Sequence, residues 1–278
     1  MPKLAAFPKG FIKQLVSGQM SIYEWIKLGD ELNVDGLEFY YNFADVKDAA
    51  NWPKIRKAVE DTGMVIPMMC ASPDFTIPDA ALRKKEVEHE IKAIEMSAAL
   101  GAKYCRVLSG QRRKEITREE GMGYVVDSIN ACLPVAKDLG VILIIENHYK
   151  DDFWTEPEFA QMMDVFVDLV SRIDSPYFGV NFDPSNAIAA GEEPSVRPEN
   201  VSTPAAAEAA VNRPDWASIC AAISVSNASR PSVPITPCIS VPPVMVRVMR
   251  SPWTKSRLLK SISSTPAVWT KVVVVGQS

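Results

Sequence analysis

Short apolar runs alternate with helical patterns along the first two-thirds of the chain. The runs are Leu4–Phe7, Gly36–Tyr40, Met64–Cys70, Lys103–Leu108, Val141–Glu146 and Tyr177–Phe182. Their continuous apolar character predicts parallel strands buried on both faces. Between them, apolar residues recur at helical spacing: Val87, Ile91, Ile94 and Ala98; Val125, Ile129, Cys132, Ala136 and Leu139; and Phe159, Met163, Phe166 and Val170. Ser21 and Glu24 are spaced as a capping box, and Gly101 and Gly140 stand where helix C-caps belong. Six strands separated by helices make a βαβ series and an α/β fold with a parallel sheet. The sheet can close as a barrel or stay open and doubly wound. The first strand runs into FPKGF, with no glycine-rich phosphate turn, which weakens the dinucleotide-binding version.

Polar residues collect at the strand C-terminal ends, where β/α barrels keep their active sites: Glu38, Ser72, Ser109, Glu146, His148 and Asp183. Two segments stand out. VILIIENHY closes a very apolar strand with Glu146, and YFGVNFDPSNA closes another with Asp183. A carboxylate ending a buried strand is costly unless it is paired, protonated or metal-bound. Two of them facing one cavity would make a hard-cation site with oxygen ligands.

The segments DGLEFYY, LGAKYCRVLSGQ, IIENHY and GVNFDPSNA, in that order and spacing, resemble the sugar phosphate isomerase/epimerase family, the xylose-isomerase-like TIM barrels that include the ketose 3-epimerases. The resemblance covers about residues 3–193. It implies a parallel (β/α)8 barrel, a small-molecule sugar or sugar phosphate as substrate, and Mn²⁺, Mg²⁺ or Co²⁺ held by Glu, Asp, His and Glu on successive strand ends. Glu146 matches the first ligand and Asp183 the second. By the same resemblance Glu146 is also one of two acid/base carboxylates that epimerise through an enediolate. Glu38 and His148 would face the sugar, and Arg106, Ser109 and Gln111 are candidates to hold a sugar phosphate. The bland readings are a merely structural strand-end acid for Glu146, a solvated or salt-bridged strand residue for Glu38, an Asp-Pro turn for Asp183, and ordinary loops for the others.

The chain departs from that pattern after residue 192. Its two histidines, His89 and His148, both precede Asp183, so the third ligand is absent, and no acid follows Asp215 to serve as the fourth. From Trp216 to Ser278 there are seven Lys/Arg and no acid, so the formal charge is −11 before this point and +7 after it. Dense prolines in SVSNASRPSVPITPCISVPPV exclude a helix or inner strand, and no β/α alternation is visible. The expected organisation is an incomplete barrel over 1–192 and an atypical Ser/Pro/Val-rich segment over 193–278. Read one base earlier, Met245-Val246 gives Gly and Trp269-Thr270 gives Asp, so a shifted reading frame is one account of that segment. A divergent, disordered tail is the other.

Two function classes follow: a metal-dependent sugar isomerase or epimerase, and a catalytically inactive or frameshifted remnant of one. An endonuclease of the same superfamily needs several histidines, and two argue against it. A net charge of −4 and seven dispersed tail cations give no nucleic-acid surface. No stretch is apolar enough for a membrane span, and five scattered cysteines suit a reducing compartment, so the expected location is the cytoplasm. Monomer and homodimer both stay open.

Overall fold

The apolar runs become a series of parallel strands. In the computed structural model, which describes residues 3–191 and 269–273, these are β1 (Lys3–Phe7), β2 (Gly36–Leu37), β3 (Phe39–Tyr40), β4 (Met68–Cys70), β5 (Tyr104–Val107), β6 (Ile142–Glu146) and β7 (Phe178–Asn181). The helices are α1 (Ile12–Ser17), α2 (Ile22–Leu32), α3 (Trp52–Glu60), α4 (Ala80–Leu100), α5 (Arg118–Leu139), α6 (Met163–Ser171) and α7 (Pro184–Ala189). Strands β3 to β7 pair in sequence order, all parallel. β2 pairs with β1.

β2 and β3 are the two halves of the expected strand 36–40, parted at Glu38. The Glu38 N–H donates to the Ala6 carbonyl at 2.9 Å, and the Leu37 N–H to that of Val65 at 2.9 Å. The backbone is therefore held to its neighbours on both sides across the break. The expected strand 64–70 shrinks to three residues because Pro67 has no N–H for a ladder, leaving Val65 as an isolated bridge to Gly36.

Among the described residues one further strand lies within the atypical segment 193–278. β8 (Trp269–Val273) runs parallel along β1, with Lys3 opposite Trp269 and Phe7 opposite Val273. It lies in the β-branched run VWTKVVVV, whose strand propensity the proline-rich segments before it obscure. The resulting order β2-β1-β8 gives the first strand its second and its last neighbour, as a closing barrel does. The edge of β1 that an open barrel would expose is covered.

Helix ends follow the chemistry of their caps. Ser21 and Glu24 close the capping box at α2, and Thr117 and Glu120 make a second at α5. Gly101 and Gly140 end α4 and α5 in the left-handed conformation. One helix starts later than its periodicity suggests. Phe159 belongs not to α6 but to the loop before it, buried against Gly121. That loop is fixed instead by Gln111, whose side-chain oxygen accepts the Thr155 and Glu156 N–H groups at 3.0 and 3.2 Å.

The buried face of α4 holds an acid. Glu90 is 1% exposed, and the Cys105 thiol donates to its Oε1 at 3.5 Å. Burial pushes this carboxyl up to about 8, against the Cys105 hydrogen bond, which pulls it down. The folded protein thus keeps a proton that the unfolded chain releases near 4.5, so this group's contribution to stability falls as pH rises from 4.5 through about 8. Glu90→Gln should flatten that loss by about 4 kcal/mol. Urea unfolding at pH 5 and pH 8.5 measures it, and equal slopes in the two proteins would remove Glu90 as the cause.

Candidate active site

Arg106 organises the C-terminal ends of three neighbouring strands. It lies on β5 opposite Ile144 of β6, two residues before Glu146, so the pleat puts Arg106 and Glu146 on the same face. Its Nη1 donates to Glu146 Oε2 at 2.8 Å, and its Nη2 donates to the Ala71 carbonyl at 3.1 Å and Ser72 Oγ at 3.0 Å. Ser72 passes the connection on, donating to Asp151 Oδ2 at 2.6 Å. Both members of the ion pair are almost fully buried, at 5% and 1% side-chain exposure. Asn186 Nδ2 reaches the other Glu146 oxygen at 3.4 Å.

Asp183 follows β7 and caps α7. Its Oδ1 accepts the Ser185 N–H at 2.8 Å and hydroxyl at 2.6 Å. Asn147, next to Glu146, clamps the same turn. Its amide donates to the Asp183 carbonyl at 2.8 Å and accepts the Asp183 N–H at 2.6 Å. Glu146 and Asp183 therefore line one cleft, with Arg106, His148, Tyr40 and Phe153 around them.

His148 turns Nδ1 toward Glu158 Oε2, 3.6 Å away. Glu158 is completely buried, and its Oε1 accepts the Ser109 N–H and hydroxyl, both at 2.8 Å. Burial drives the Glu158 carboxyl well above its ordinary range, with the Ser109 bonds opposing. Burial also drives His148 down to about 4, so it is a neutral imidazole at neutral pH.

Of the residues expected at the site, Glu146, Asp183, His148 and Arg106 come together. Glu38 sits at the joint between β2 and β3, outside the residues that line the cleft. Ser109 commits its amide and hydroxyl to Glu158, and Gln111 holds Asp74 through its N–H and its side-chain amide at 3.0 and 2.8 Å. Neither lines the cleft. Sequence reasoning missed Tyr40, Lys9, Asp151, Asp152, Phe153 and Asn186 on the wall and Glu158 behind it. The one signal for the three in the middle is the run KDDF directly after ENHY.

The described residues do not fit a four-ligand divalent site. Among them no group of three or more His, Cys, Asp and Glu is arranged to hold a cation. One oxygen of Glu146 carries a guanidinium, and one oxygen of Asp183 is committed to a helix cap. Two carboxylates so engaged supply too few oxygens for a hard cation.

Parallel strands wrapped by helices, with the polar groups at the strand C-terminal ends, define a β/α barrel. The chain belongs to the xylose isomerase-like TIM barrel family, which matches residues 26–217. That match ends two residues beyond Asp215, the last acid of the sequence. Solved structures share the fold. A D-psicose 3-epimerase in the presence of D-fructose is 16% identical, with a TM-score of 0.55 over 67% of this chain and 65% of that one. The chain thus spans just under two-thirds of that relative's length. A D-tagatose 3-epimerase-like protein is 18% identical, with a TM-score of 0.57 over 69% and 68% of the two chains. The IolI protein with a bound zinc atom is 15% identical, with a TM-score of 0.55 over 69% and 66%. No curated protein sequence matches this one. No described helix is long and apolar enough to cross a membrane.

Proposed function

We propose that the cleft binds a small sugar and that Glu146 transfers the proton beside its carbonyl group, making the protein an isomerase or epimerase acting through an enediolate. The observation that carries this reading is the Glu146–Arg106 pair, buried at the strand ends and lining the cleft. A carboxylate there can accept a carbon-bound proton on Oε1 once substrate displaces the Asn186 contact, with the Arg106 bond to Oε2 kept. Arg106 then lies beside the negative charge that develops on the substrate oxygens. His148 adds an uncharged polar contact. No step is routed through a metal ion, since the donor set falls short of one.

The experiment is isomerisation and epimerisation of a ketose panel by the full-length protein, with and without Mn²⁺, in parallel with its thermal stability. Glu146→Gln should lower turnover about 100-fold or more, and because it also leaves the buried Arg106 without its counter-charge, turnover is compared well below the variant's own melting temperature. A divalent ion at 1 mM should stabilise the protein by less than about 1 kcal/mol, as for a site with a Kd near millimolar. Turnover unchanged by Glu146→Gln would sink the assignment. The second reading, an inert relative that keeps the scaffold, is favoured by the lack of a histidine after His148 and of any acid after Asp215. Absence of turnover on every sugar, with or without metal, would establish it.

A further inference from the structure

The charges on the cleft wall say which sugars it accepts. Among the described residues that line it, two are cationic, Lys9 and Arg106, and four are carboxylates, Glu146, Asp151, Asp152 and Asp183. The formal charge of these described lining residues is therefore −2. Neither cation is unclaimed. Arg106 is bonded to Glu146 at 2.8 Å in a buried pair, and Lys9 to Asp152 at 2.8 Å at the rim. A phosphate entering this cleft would have to break one of these pairs and would then face the released carboxylate as well as the others.

The polar groups that could otherwise cradle a phosphate are committed elsewhere. Ser109 serves Glu158 through both its N–H and its hydroxyl. Gln111 bridges Asp74 to the Thr155–Glu156 turn. Arg113, two residues further along the same loop, makes a two-pronged contact to the Asp74 carboxylate at 2.8 and 2.7 Å. The amino end of α7 is closed by the Asp183 side chain.

Part of the cleft lining is aromatic. The Tyr40 and Phe153 rings are parallel within 1°, with centroids 6.3 Å apart. Phe153 is 53% exposed, so its ring is open to a ligand. Aromatic rings and carboxylates lining one cleft suit a compound with an apolar C–H face and many hydroxyl donors.

We propose that the cleft selects an uncharged, polyhydroxylated carbonyl compound, an unphosphorylated sugar, and discriminates against its phosphate esters. The proposal rests on the sugar-binding reading above but not on turnover. Hydroxyls donate to the carboxylates, the sugar's C–H groups lie on Phe153, and the two pre-existing ion pairs stay closed.

The test is binding to the full-length protein, by calorimetry and saturation-transfer NMR at fixed ionic strength. The probes are D-fructose and D-ribulose, each against its terminal monophosphate. The free sugars should bind at least about tenfold more tightly at low salt, and the ratio should shrink as salt screens the wall. Asp152→Asn, which removes one charge and releases Lys9, should narrow the ratio at least about threefold, and Phe153→Ala should weaken the free sugars. Esters binding as tightly as free sugars would overturn the charge selection and leave the sugar-binding reading intact. No binding of either class would overturn both. Binding without isomerisation would remove the proton-transfer role of Glu146 and leave the selection standing.

Discussion

Arg106→Met should cost the fold about 3–5 kcal/mol in urea unfolding, the typical loss when one partner of a buried ion pair is removed. The side chain is 5% exposed and serves three acceptors at once: Glu146 Oε2, the Ala71 carbonyl and Ser72 Oγ. Without it Glu146 loses its guanidinium inside a site that is 1% exposed. The ends of β4 and β6 also lose their shared tie. The size of the loss alone does not isolate the pair, so the double variant Arg106→Met/Glu146→Met is the decisive companion. Replacing both charges by apolar groups of similar volume should recover most of the stability, because the desolvation cost of both ions disappears with them. A single-variant loss below about 1 kcal/mol would mean that solvent screens the pair as it would a surface bridge. Arg106→Lys tests geometry at constant charge. One ammonium cannot span the three acceptors as a planar fork does, so a substantial part of the loss should persist.

This ion pair also marks how far the sequence could be read. A cation inside the apolar run KYCRVL announces a buried partner, since an isolated charge there is too costly. The partner lies forty residues away, and only the strand register, Arg106 opposite Ile144, selects it. The strands themselves were legible because parallel strands buried on both faces leave continuous apolar runs. They were least legible where the backbone departs from a ladder, at Pro67 and at Glu38. Helix ends were legible where the cap chemistry is local, as at Ser21 and Gly140. Glu146 and Asp183 stood out as the polar last words of apolar runs. Asp151, Asp152, Phe153 and Glu158 did not, because they belong to a loop whose shape is set by distant groups such as Ser109 and Gln111 and has no period to read. The same reasoning separates two boundaries. Loss of β/α alternation placed the end of the barrel portion at 192, whereas the family match runs to 217. The composition break at Trp216 falls beside the end of that match.

Gly110→Ala should lower stability by about 3 kcal/mol or more and loosen the cleft wall, although residue 110 does not line it. Its φ of +109° is a conformation that a Cβ makes strained. Space is the second obstacle. A Cβ at this position would stand 2.7 Å from Asp74 Oδ1, 2.7 Å from the Phe75 nitrogen and 2.8 Å from the Thr76 nitrogen. Two of those atoms are backbone, and the third belongs to the carboxylate that binds Arg113 and Gln111, so none can move alone. On its other side the Gly110 carbonyl accepts the Phe159 N–H at 2.8 Å, next to Glu158 and the His148 contact. The glycine is therefore a wedge-free joint between the loop after β4 and the loop after β6. Forcing it open shifts Glu158, and with it the support of His148, by way of Phe159. Amide hydrogen exchange should show lost protection at Phe159 and Ala160 together with the drop in unfolding free energy. Preserved exchange at both residues, with the stability loss present, would confine the strain to the Asp74 side and uncouple this joint from the cleft.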